Sequence, residues 1–165
     1  MIVLAEHISS HFTWYEAINS ETAKRQGIDN EPSESEEDNI IYTGRQMENI
    51  RAVLGAPIHV SSWYRNFETN KLVGGSKQSD HLLGLAVDFI VLGQDPFYTC
   101  TRIQNYFTTL GVQDLHVYGF NQLIYEFSWV HISWKRRTPG SVAKMEVLTY
   151  DAANQHYLPG IVRLT

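Results

Sequence analysis

Leu85-Ala86-Val87-Asp88-Phe89-Ile90-Val91 is a compact apolar run with one carboxylate at its centre. A short apolar stretch rich in branched side chains reads as a buried strand. An aspartate inside it is costly to bury unless it is paired or bound to a cation.

Upstream, Thr13-Trp14-Tyr15-Glu16 has capping-box spacing, and the helix it opens is expected to run through Ile18 and Ala23 to Gly27. Residues 28–38, with Pro32 and the acidic run Glu34, Glu36, Glu37 and Asp38, read as a solvated loop. Ile41, Met47, Ile50, Val53 and Leu54 fall near helical spacing across 40–54, and Gly55 ends that helix. After Pro57, the alternation of Ile58, Val60 and Ser62 with His59 and Ser61 indicates a strand, while 63–84 holds no long periodic stretch. Downstream, Asp95-Pro96 starts a helix expected to reach Leu110, closed by Gly111. Strands are expected at about 114–118, 122–127, 129–134, 144–150 and 160–164, with turns at Gly119-Phe120-Asn121 and Pro139-Gly140. Helices first and strands later favour an α+β fold: one domain over 1–165, with helices packed on a small, mostly antiparallel sheet.

The 165 residues, 43% hydrophobic and 19% charged, describe a globular chain long enough to bury a core. The net charge of −5, with no cluster of Lys or Arg, argues against a nucleic-acid partner. No run approaches the length that spans a bilayer, so membrane insertion is not expected. Met1-Ile2-Val3-Leu4-Ala5 is too short an apolar stretch for a signal-peptide core. The expectation is a monomer made in the cytoplasm without an export signal. Cys100 is the single cysteine, which excludes a disulfide framework and a thiolate zinc site, and its apolar helical context suits a buried structural thiol.

Two histidines can join Asp88. His81 lies seven residues earlier in Ser79-Asp80-His81-Leu82-Leu83-Gly84, and His131 lies downstream in Ser128-Trp129-Val130-His131-Ile132-Ser133. Two imidazoles and a carboxylate supply three zinc ligands and leave a fourth position open for water. Taken alone the spacing is weak evidence: a strand histidine is commonly a satisfied core residue, and Asp88 could instead pair with Arg65. The same donor set also serves non-haem iron, although the close His-x-Asp pair common there is missing.

The flanking residues narrow the choice. Ser61-Ser62-Trp63-Tyr64-Arg65-Asn66, then Asn70, then Val73-Gly74-Gly75-Ser76, lead into Ser79-Asp80-His81-Leu82-Leu83-Gly84-Leu85-Ala86-Val87-Asp88-Phe89, and Trp129-Val130-His131 follows. In this order the blocks closely resemble the D-alanyl-D-alanine carboxypeptidase-like zinc peptidases, a group that includes D-Ala-D-Ala dipeptidases and phage endolysins. The resemblance covers roughly residues 7–135.

It implies that His81, Asp88 and His131 hold Zn2+ and that the substrate is a peptidoglycan stem peptide. It implies that Arg65 contacts substrate or steadies the oxyanion, for which its charge and forked donors are suited, with a structural salt bridge as the alternative. Ser79 matches a substrate-side serine, or else orders its loop. Gly74, Gly75 and Gly84 serve backbone geometry. Relatives commonly carry the general base three residues before the last histidine, where this chain has Ser128, which cannot do that work. Glu126 is the candidate base, with His116 as a second. Residues five apart on one regular strand face opposite ways, so Glu126 needs a bend or hairpin near Ser128 to share a side with His131. His7, His11, His59 and His156 receive no chemistry.

The expected function is zinc-dependent hydrolysis of an L-Ala–D-Glu or D-Ala-containing bond. Release from the cytoplasm during phage or prophage lysis would bring the enzyme to its substrate. The alternatives are a D,D-carboxypeptidase or dipeptidase, and a non-hydrolytic metal-binding phage protein on the same fold.

Overall fold

The computed structural model describes residues 6–136 and 142–164, with the side chains of Val112, Gln113 and His116 excepted. Pro139-Gly140 and Met1–Ala5 lie outside these residues. The chain divides into two compact units, residues 1–48 with 60–87 and residues 49–59 with 88–165, whose borders fall inside continuous helices and strands.

In the first unit, α1 (Trp14–Ile18) has the expected capping box: Thr13 Oγ1 accepts from the Glu16 amide, and Glu16 accepts from the Thr13 amide. The helix does not continue to Gly27. Asn19 is extended, and Ser20 caps a separate helix, α2 (Glu21–Gln26), which ends at Gly27. The acidic run is likewise not a loop. It forms the opening turns of α3 (Glu34–Leu54), because carboxylates near a helix N-terminus face the positive end of its dipole. Glu36 also accepts from the Ser33 amide at 2.8 Å.

His11, left without chemistry by sequence, has a structural task. Its ring and amide, with the Ser9 hydroxyl, all bond the Glu48 carboxylate at 2.7–2.8 Å. The core here holds Phe12, Trp14, Ile40, Met47 and Trp63. Each such side chain contributes roughly 1.5–3 kcal/mol through burial. β1 (Ile58–Ser62) is followed by α4 (Phe67–Leu72), capped by Asn66, and by a 3-10 turn over Asp80–Leu83.

β2 (Ala86–Val91) is the strand read from the sequence, and all but Ile90 are buried. In the second unit, Asp95 caps α5 (Pro96–Thr108), which stops just short of Leu110. The expected strand at 114–118 is instead part of α6 (Val112–Tyr118). Its alternating Leu115 and Val117 over so short a stretch fit either period.

Next come β3 (Gln122–Tyr125), β4 (Val130–Ser133), β5 (Glu146–Asp151) and β6 (His156–Pro159). The last strand was expected at 160–164. It comes earlier because the Asp151 carboxylate accepts from the Ala153 and Asn154 amides and turns the chain at once. The strand order in the mostly antiparallel, α+β sheet is β1-β2-β4-β3-β5-β6. β3 pairs antiparallel with β4 and parallel with β5, and β5 pairs antiparallel with β6. Cys100 is fully buried on α5, and burial, then the Asp95 and Glu126 carboxylates, push its thiol pKa well up, so it is an inert packing residue.

Candidate metal centre

His81 is held before any metal is considered. It sits in the 3-10 turn, where Ser79 Oγ accepts from its amide at 3.3 Å, and its carbonyl accepts from the Arg65 amide at 3.1 Å. The turn closes at Gly84, whose φ of +71° is left-handed. A Cβ there would lie 2.7 Å from Ile40 Cγ1 and 3.2 Å from the Glu36 carbonyl oxygen, so glycine is required twice over. Trp63 Nε1 donates to the Gly84 carbonyl at 3.1 Å, fixing the end of the turn.

The His81 ring is fully buried, with Nδ1 2.5 Å from the Trp63 carbonyl oxygen. A carbonyl only accepts, so Nδ1 carries the proton, and in the neutral ring Nε2 then holds the lone pair a metal needs. Trp63 was read from sequence only as part of a motif. Its main-chain role in setting the tautomer has no sequence signal.

Asp88 sits in the middle of β2, 9% exposed. Its Oδ1 is 2.7 Å from Nδ1 of His131 on β4, and both side chains are mostly buried, 13% and 12% exposed. The ligand atoms of His81, Asp88 and His131 all lie within 4.8 Å of one another. This trio fits a divalent cation. His81, Asp88 and His131 would hold such an ion through two imidazole nitrogens and one carboxylate oxygen, a donor set that suits zinc.

Glu126 lies at the end of β3. The turn to β4 is tight: the Glu126 amide donates to the Trp129 carbonyl at 3.1 Å, and Phe127 has a φ of +58°. β3 and β4 are thus joined as a hairpin with its bend at Phe127-Ser128. Ile124 pairs with His131 and Tyr125 with Val130, so the ladder continues to Glu126 opposite Trp129. Residues opposite or two apart share a face, which puts Glu126 on the side of His131. The two form a diagonal cross-strand pair, a spacing of roughly 7–8 Å in a regular ladder and within reach of a long side chain.

Arg65 is part-buried and joins His81 through the main chain. The one described hydrogen bond of the Ser79 hydroxyl orders the turn. His116 is on α6, and its side chain lies outside the described residues. The Gly74-Gly75 turn is also built in: Asn70 Nδ2 donates to the Ser76 carbonyl, and a Cβ at Gly75 would run into the Asn70 side chain. No helix among the described residues is long and apolar enough to cross a membrane.

Comparison with known proteins agrees with the site. No curated protein matches the chain. A family model described as Peptidase M15 matches residues 10–133, a span that contains the three clustered candidate ligands, Arg65, Ser79 and Glu126. The chain therefore belongs to the Peptidase M15 family of metallopeptidases.

Proposed function

We propose that the protein is a zinc peptidase that hydrolyses an amide bond in peptidoglycan stem peptides, at an L-Ala–D-Glu or D-Ala-containing link. The observation that carries this is the convergence of His81, Asp88 and His131 within 4.8 Å, with Glu126 on the face of His131. Two neutral imidazoles and one carboxylate leave the ion a net positive charge, as a Lewis acid requires. When bound, zinc polarises the scissile carbonyl and lowers the pKa of a water in the open position.

The remaining work belongs to side chains. Glu126 accepts the proton of the attacking water and returns it to the leaving nitrogen. The Arg65 guanidinium offers charge-assisted donors to the oxyanion or to a substrate carboxylate. Ser79 keeps the 3-10 turn, and with it His81, in register. In this reading the enzyme acts on the wall after release from the cytoplasm.

The test is metal analysis of the purified protein, together with mass spectrometry of digested peptidoglycan. One zinc per chain and new termini inside the stem peptide are expected. Loss of terminal D-Ala alone would make it a carboxypeptidase, and zinc binding without any cleavage would refute the hydrolase reading.

A further inference from the structure

The sheet face that carries His131 and Glu126 does not stop at β3. Ile124 pairs with Leu148 on β5, and Leu148 with Pro159 on β6, which sets a row running from His131 to Pro159. Two residues nearer the hairpin tip Tyr150 pairs with Tyr157, and the β3 registers, extended one residue past Tyr125, bring Glu126 and Trp129 into line with them. All four side chains therefore project from the face of the metal ligand. Both tyrosines lie beyond residues 10–133, so the family match does not account for them.

Their rings form a tilted pair, with centroids 5.1 Å apart and planes at 45°. Tyr157 is 53% exposed on the edge strand and Trp129 is 38% exposed. Strands about 4.8 Å apart put the Tyr157 backbone roughly 10 Å from that of Glu126, about the width of one or two sugar or peptide units. Burial, then the charges of Glu126, Tyr150 and Asp88, raise the Tyr157 pKa, so its hydroxyl remains a hydrogen-bond donor.

Neither row contains a Lys or Arg, and the nearest carboxylates repel an anion. Lys144 and Lys135 instead serve Glu146, at the far end of β5. An aromatic pair of one exposed and one half-buried tyrosine, with a donor hydroxyl in negative surroundings, suits a neutral ring with one apolar face and several hydroxyls.

We propose that Tyr150 and Tyr157 form a subsite for a neutral pyranose ring, the glycan to which the stem peptide is attached. The substrate identity rests on the function proposed above. The tyrosines would hold the sugar while the attached peptide crosses the metal centre, giving preference to polymeric or glycan-linked substrate over free peptide.

The direct test titrates the zinc-loaded protein with a neutral β-1,4-linked N-acetylglucosamine tetrasaccharide, followed by NMR. Saturable shifts are expected in the wild type. In Tyr157→Leu, which keeps an apolar strand residue but no aromatic face, affinity should fall about tenfold, the scale of one good aromatic contact. Tyr150→Leu should behave similarly, and amide fingerprint spectra establish that each variant is folded. Absence of binding by the wild type, or equal affinity in a folded Tyr157→Leu, overturns the subsite.

In parallel, kcat/KM is compared for glycan-linked and glycan-free stem peptides. The preference for the linked form should fall about tenfold in Tyr157→Leu, and an unchanged preference also overturns it. If the wild type cleaves no peptide at all, the hydrolase reading fails, while the sugar titration still decides the subsite.

Discussion

Asp88→Asn removes one charge from the centre of the site and leaves its shape intact. Asp88 and His131 are 2.7 Å apart and mostly buried, so their bond is little weakened by solvent. Asn can still accept from His131 Nδ1, and only the charge-assisted part is lost, about 1–2 kcal/mol. With zinc the contrast grows. A ligand at a hundred times its Kd stabilises the folded state by about 2.7 kcal/mol. In a chain of 165 residues that corresponds to a rise in Tm of about 8 °C. Losing a charged ligand should cost at least the roughly 100-fold in affinity that an outer partner can cost. At the same zinc concentration the variant then sits near its Kd and gains only about 0.4 kcal/mol, or about 1 °C. Thermal melts with zinc and with chelator measure this directly. An equal zinc-induced shift in wild type and Asp88→Asn would show that the cluster is not the metal site.

Glu126→Gln should lower kcat on stem peptide by about 100- to 10,000-fold while leaving the zinc-dependent rise in Tm intact, and full activity would remove Glu126 as the base. Gly84→Ala combines a left-handed φ with a Cβ 2.7 Å from Ile40, and should destabilise the protein by about 1–3 kcal/mol in urea titration. Arg163 bonds the helix-capping carboxylate of Asp95 at 2.7 Å and stacks over Phe97 at 4.3 Å. The Phe97 amide, then Arg163, hold the Asp95 pKa below the usual carboxylate value, so its contribution is present above that value and is lost as the pH falls through the lowered one. The Tm difference between wild type and Arg163→Ala should therefore shrink below about pH 4, and a difference that grows in acid would contradict the pairing.

Local chemistry was legible in the sequence, and long-range register was not. His81 and Asp88 could be read because one continuous segment holds both, and because a carboxylate in an apolar strand needs a partner. The capping box at Thr13 and the Asp95-Pro96 start also fall where sequence places them. The acidic run misled, since charge pattern alone does not distinguish a solvated loop from carboxylates gathered at a helix start. Residues 114–118 misled because two apolar positions satisfy a strand or a helix equally well. The shared face of Glu126 and His131 was only a conditional expectation, because pairing across a turn is not written in either strand. Tyr157 was invisible for the same reason: it joins the row of Glu126 only through two successive strand pairings.

The hairpin also bears on how this site can vary. Glu126 and His131 are neighbours by cross-strand pairing, so the number of residues between them along the chain is a loose parameter. Insertions at the exposed tip, Phe127-Ser128, would lengthen the turn and leave both side chains where they are. Divergent homologues can thus be expected to conserve the pairing while the interval drifts. A search that fixes the distance from acid to histidine would pass over them, whereas one that aligns the two strands would recover them.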